Sequence, residues 1–136
     1  MKPNLLITDG DAEMCDLCAQ FLTESGYEVE SATDGLECLR KLRQMMPVAL
    51  VLDLDLRWGG ADGVLDWMRA ESSTREVLVI LTAAAGYAQY FSEFIEPPVV
   101  DFLLKPFTLS ALLGSVRAAV ARTGRIEPSN RDRVPA

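Results

Sequence analysis

Five short apolar runs divide the chain: Leu5 to Ile7, Tyr27 to Ser31, Val48 to Leu52, Val77 to Leu81 and Val99 to Leu104. Most are Val, Leu and Ile with little polar alternation, which suits strands buried on both faces of a parallel sheet. Between them the apolar positions change to helical spacing. Met14, Leu17, Cys18 and Phe21 form one stripe, Leu36, Leu39, Leu42 and Met46 a second, and Leu109, Leu112, Leu113, Val116 and Val120 a third. Punctuation agrees: Gly26 ends the first helix, Asp34-Gly35 opens the second, Pro47 stops it, and Thr108 can cap the last. Strand and helix alternate to the end, which predicts an α/β protein with a parallel sheet covered by helices on both faces, a three-layer α/β/α sandwich. From about Thr123 the sequence turns to Gly, Pro, Ser, Asn and Arg. The expectation is one folded domain over 1–122 and a flexible tail over 123–136.

Composition narrows the chemistry. At 136 residues, 49% hydrophobic and 24% charged, the chain has the balance of one globular domain. Its net charge is −7, and nine bases against eighteen acids precede residue 122. Such a surface repels phosphate backbones and anionic lipid, so nucleic acid and membrane are not expected partners. There is no histidine, which removes Ser-His-Asp and Cys-His nucleophiles, His-ligated zinc and a phosphohistidine of the chain's own. Cys15, Cys18 and Cys38 are too few and too scattered for a disulfide framework. Cys15 and Cys18 form a C-x-x-C inside a helix rather than at its start, which predicts buried thiols rather than a redox pair. No signal peptide opens the chain and no apolar run reaches membrane-spanning length, so a cytoplasmic protein is expected.

In an open α/β sheet ligands bind beyond the carboxyl ends of the strands. Directly after the first run come Thr8, Asp9, Gly10 and Asp11; after the third, Asp53, Leu54 and Asp55; after the fourth, Thr82; after the fifth, Lys105. Crowded carboxylates repel unless a cation or a proton joins them, and with oxygen ligands alone the fitting cation is Mg²⁺ or Mn²⁺. A strand-end carboxylate can also act as a nucleophile and form an acyl phosphate, with metal and lysine balancing the phosphoryl charge.

On these residues the chain resembles the receiver domain of two-component response regulators. The matching features are Asp9, Asp53, Asp62-Gly63 at the start of the third helix, Thr82 and Lys105-Pro106-Phe107, together with Asp34-Gly35-Leu36-Glu37, and they cover residues 4–121. The resemblance implies a flavodoxin-like fold with five parallel strands in the order 2-1-3-4-5 and five helices. It implies Asp53 as phosphoacceptor, Asp9, Asp53 and Asp55 as metal ligands with Asp11 a further candidate, Thr82 as switch hydroxyl, Lys105 as phosphate-binding lysine and Phe102 as aromatic switch. Asp55 has a second reading as an exposed loop carboxylate. The implied partners are a histidine kinase or phosphotransfer protein and an output protein, addressed through the face of the fourth helix, fifth strand and fifth helix; weak homodimerisation is a further option. No output domain fits in the tail, so a single-domain phosphoprotein of a phosphorelay is expected, at most a slow autophosphatase and not a metabolic enzyme.

Three departures stand out. Gly10 replaces the second acid that receivers carry after the first strand, which bears on Mg²⁺ affinity. Residues 54–61 make a loop two residues longer than usual and without its proline, predicting a more mobile loop with Trp58 near the phosphorylation site. Pro97-Pro98 stiffens the approach to the output surface. Gly10 and the altered loop motivate an alternative, a pseudo-receiver that docks to partners without phosphorylation. Asp53-Leu54-Asp55 also resembles the D-x-D of haloacid dehalogenase-like phosphatases, but the only acids after Lys105 are Glu127 and Asp132. A flavin site is opposed by the acidic first loop. Tyr87, Tyr90, Phe91 and Phe94 read as a core-facing helical stripe. Ala111, Ser115, Ala118 and Ala119 read as a small-residue face on the last helix.

Overall fold

In the computed structural model, which describes residues 2–56 and 60–124, five strands form one parallel sheet. They are β1 (Asn4–Thr8), β2 (Glu28–Ala32), β3 (Ala49–Asp53), β4 (Leu78–Ala84) and β5 (Val99–Lys105), in the order β2-β1-β3-β4-β5. The α-helices are α1 (Ala12–Glu24), α2 (Gly35–Met45), α3 (Gly60–Ala70) and α4 (Leu109–Arg122). The flavodoxin-like order expected from the sequence is present.

Successive residues of a strand point to opposite faces, and β1 divides its side chains accordingly. Leu6 enters a core with Cys38, Leu42, Leu50, Leu65 and Met68, under α2 and α3. Leu5 and Ile7 enter the other core with Cys18, Leu22, Leu112 and Val116, under α1 and α4. Every residue of β3 is buried, as a central strand covered on both sides requires.

The helix boundaries follow from caps. Asp11 precedes α1 and accepts from the backbone N–H groups of Glu13 and Met14; Asp34 does the same for Glu37 at the start of α2, and Thr108 for Ala111 at the start of α4. α3 begins at Gly60, so Asp62-Gly63 lies within its first turn rather than opening it. Two of the expected stripes are rotated from the true inward faces. Leu17 and Leu36 face water, at 52% and 64% exposure, while Cys15, Cys38, Leu22 and Leu42 are buried. Spacing alone cannot fix the phase of a stripe when small thiols share the apolar set. The last helix follows the expected pattern, with Leu112, Val116 and Val120 buried. The small-residue face does not exist as one surface: Ser115 and Ala119 are buried, and the Ser115 hydroxyl donates to Asp101.

The expected fourth helix is not α-helical. Ala85–Phe94 is a 3₁₀ segment with none of its residues fully buried. Gly86 and four aromatic residues give this stretch low helix propensity. At three residues per turn, residues i and i+3 align in rows. Tyr87, Tyr90 and Glu93 therefore share one exposed row, while Ala88, Phe91 and Phe94 share a half-buried one. Only Phe91 and Phe94 pack against the core, so the core-facing reading is right for half of the aromatic set. Past the 3₁₀ segment, the Arg69 guanidinium donates to the carbonyls of Glu96 and Pro97, tying the Pro97-Pro98 turn to α3. The mobile-loop expectation with Trp58, and the tail beyond Gly124, lie outside the described residues. Among the described residues no helix is long and apolar enough to cross a membrane.

Candidate phosphorylation site

The strand order reverses at β1 and β3, where consecutive connections leave for opposite faces and open a crevice at the carboxyl edge. Asp9 follows β1, Asp53 ends β3 and Lys105 ends β5. The sheet places Thr82 directly beside Asp53 in the β3–β4 register. β4 runs on to Ala84, so Thr82 lies inside the strand rather than after it.

Lys105 gathers the two carboxylates. Its Nζ donates to Asp9 Oδ2 at 2.7 Å and to Asp53 Oδ2 at 3.1 Å. The other oxygens accept from the chain itself: Asp9 Oδ1 from the Asp11 N–H at 2.9 Å, and Asp53 Oδ1 from the Asp55 N–H at 3.3 Å. Behind them the Leu54 N–H donates to the Thr82 carbonyl at 2.8 Å, fixing the start of the β3–α3 loop to β4. Both Asp9 and Asp53 are buried, Asp53 with 3% of its surface exposed.

Two buried carboxylates share one ammonium, and the electrostatics record the imbalance. Burial pushes the Asp53 carboxyl above its ordinary pKa and the charge of Asp9 adds to that, against the opposing pull of Lys105. Burial alone would lower the Lys105 ammonium, but its hydrogen bond to Asp9 and the charges of Asp53 and Asp9 raise it. Lys105 therefore stays protonated and favours an ionised Asp53. Beneath the site, burial and then the Asp9 charge push the Cys15 thiol up to about 12, and its Sγ lies 3.3 Å from the Asp9 carbonyl oxygen. Cys15, Cys18 and Cys38 are all buried free thiols, as their helical positions indicated.

Above the pair opens a cavity of about 590 Å³ lined by Asp9, Gly10, Asp11, Thr33, Asp34, Asp53, Asp55 and Lys105. Five carboxylates face it with a single base. Thr33 and Asp34 were not among the sequence candidates. The second apolar run carries no charge at its end, and Asp34 reads first as a helix cap, a role it does fill. Asp11 also spends one oxygen as a cap. Asp55 is exposed on the rim. Among the described residues no three Asp, Glu or Cys side chains surround one point. Mg²⁺ needs only one or two carboxylates with waters completing its shell. The oxygen-only donors, the excess negative charge and the raised Asp53 fit such an ion.

Phe102 lies beside Leu81 in the β4–β5 register, and its ring meets Phe91 of the 3₁₀ segment at 4.6 Å between centroids. The aromatic position expected to switch is therefore packed against the crossover that follows Thr82.

Comparison with known proteins assigns this fold and its acidic edge to a signalling family. The response regulator receiver domain model matches residues 5–117. The DNA-binding dual master transcriptional regulator RpaA of Synechocystis sp. is 32% identical over 91% of this chain and 52% of its own. The transcriptional regulatory protein PrrA of Mycobacterium tuberculosis is 30% identical over 98% of this chain and 56% of its own. The chain thus spans about half the length of the curated relatives it matches. A signal receiver domain from Vibrio parahaemolyticus shares the fold, with a TM-score of 0.83 at 23% identity over 91% of this chain and 94% of that one. The chain belongs to the response regulator receiver family of two-component signalling. Domains of this family generally bind Mg²⁺ in the phosphorylation site and interact with histidine kinases or phosphotransfer proteins.

Proposed function

We propose that Asp53 accepts a phosphoryl group and that the chain passes the resulting change to an output partner through the face of the 3₁₀ segment, β5 and α4. The observation that supports it is the buried Asp9–Lys105–Asp53 arrangement at the carboxyl edge, with Thr82 beside the acceptor. Asp53 attacks phosphorus through a carboxylate oxygen while the bond from phosphorus to the donor breaks and its electron pair leaves with the donor. The Lys105 ammonium offsets part of the cost of ionising Asp53 for that attack and would balance charge that builds on the phosphoryl oxygens. Asp9 and Asp53 would hold Mg²⁺ or Mn²⁺ with waters completing the shell, Asp55 and Asp11 standing at the rim in reserve, and the ion would add the positive charge that Lys105 alone does not supply. In this reading the Thr82 hydroxyl turns to a phosphoryl oxygen and Phe102 follows it, altering its contact with Phe91.

The test is intact mass after incubation with Mg²⁺ and acetyl phosphate. One added phosphoryl group, absent in Asp53→Asn, is expected. An adduct that persists in Asp53→Asn would move the acceptor elsewhere. A second reading, docking without phosphorylation, is favoured by Gly10 and the altered loop sequence after Asp53; no adduct and no Mg²⁺ binding in the wild-type protein would select it.

A further inference from the structure

The exposed row of the 3₁₀ segment faces a second cavity that the phosphoryl chemistry does not use. It measures about 300 Å³ and is lined by Leu54, Asp62, Tyr87, Tyr90, Glu93 and Phe94. Tyr87 and Tyr90 are 46% and 42% exposed, an unusual loss for rings of this size, and their centroids stand 6.0 Å apart at a 38° tilt. Across from them Asp62 projects from the first turn of α3. Among the described residues neither Asp62 nor Glu93 pairs with a cation. The cavity therefore combines the negative faces of two π-systems, two carboxylates and an apolar wall of Leu54 and Phe94.

We propose that this cavity binds an arginine side chain presented by a partner protein. A guanidinium is flat, weakly hydrated and always charged, so it can stack on a tyrosine ring while its edge donates to a carboxylate. An anion is repelled here. A purely apolar side chain would bury Asp62 and Glu93 without partners, which is costly. A lysine ammonium satisfies the charge but not the ring-to-plane stacking, so arginine is the better occupant. The site lies on α3 and the 3₁₀ segment, separate from the β5–α4 part of the output face, and stands whether or not Asp53 is phosphorylated.

The test uses the full chain and the capped peptide acetyl-Gly-Arg-Gly-amide, followed by NMR shifts of the Tyr87 and Tyr90 rings. Saturable shifts are expected, with a dissociation constant on the order of 10 mM for one side chain. The same peptide with citrulline, flat but uncharged, should bind at least about fivefold more weakly. Glu93→Gln and Asp62→Asn, both exposed and isosteric, should each weaken the arginine peptide about threefold while leaving the spectrum of the fold intact. Equal shifts from the citrulline peptide, or none from the arginine peptide, would overturn the proposal.

Discussion

Gly10 stands where the receiver resemblance implies a second acid, and placing an acid there tests the charge reasoning directly. A Cβ added at Gly10 meets nothing within 4 Å, the residue is exposed, and it borders the cavity above Asp9 and Asp53. Gly10→Asp therefore changes charge with little steric cost. In water-like surroundings a unit charge pair at about 4 Å is worth about 1 kcal/mol, so a divalent ion would gain about 2 kcal/mol from a new rim carboxylate. Repulsion with Asp9 and Asp53, only partly offset by Lys105, takes back some of that. The net expectation is 1 to 2 kcal/mol, or about 5- to 30-fold tighter Mg²⁺ binding. Without metal the variant should lose about 1 kcal/mol of stability, because a further acid joins an already unbalanced cluster. Calorimetric titration with Mg²⁺ reads the affinity, and thermal unfolding reads the stability. The variant should melt a few degrees below wild type without metal, with the gap closing or reversing at saturating Mg²⁺. Unchanged or weaker Mg²⁺ binding would refute the view that missing negative charge at residue 10 limits the site. An apo loss above about 3 kcal/mol would show that the position is not sterically free.

Two other outcomes follow from the same electrostatics. Asp53 has its pKa raised in the fold, so its ionised form is penalised there: stability falls as pH rises from near 3.8 toward the raised value and stays lower above it. Asp53→Asn should flatten that part of the pH–stability curve and stabilise the metal-free protein at pH 7 by about 1 to 2 kcal/mol; denaturant melts at pH 4 and pH 7 that show a loss at pH 7 would contradict this. Cys15 and Cys38 have pKa values pushed up to about 12, chiefly by burial, and Cys18 is raised as well. At pH 8 a disulfide reagent should therefore label the native chain at least about a hundredfold more slowly than the unfolded one, and rapid native labelling of any of the three would contradict their burial.

Much of the site was legible in the sequence because a buried parallel strand announces its own end. Once β1, β3 and β5 were placed, Asp9, Asp53 and Lys105 had to share an edge, since the carboxyl ends of parallel strands all point one way. Asp34 was legible only as a cap, because one carboxylate can both close a helix and face a cavity. The stripes on α1 and α2 were misphased because Cys15 and Cys38 fill core positions that a search for large apolar residues passes over. The aromatic set near residue 90 misled for a different reason: its spacing fits both 3.6 and three residues per turn over so short a span, and the two periods bury different rings.

By itself, then, the sequence determined the order of elements, the edge that carries the chemistry and the sign of its charge, because each depends on local pattern and composition. Tertiary structure alone decided that one ammonium bridges both buried acids, that Asp11 and Asp55 stand at the rim, and that Tyr87 and Tyr90 turn outward across from Asp62. Those outcomes depend on distances between segments far apart in the chain and on how much water reaches each group, and neither is written in any local stretch of residues.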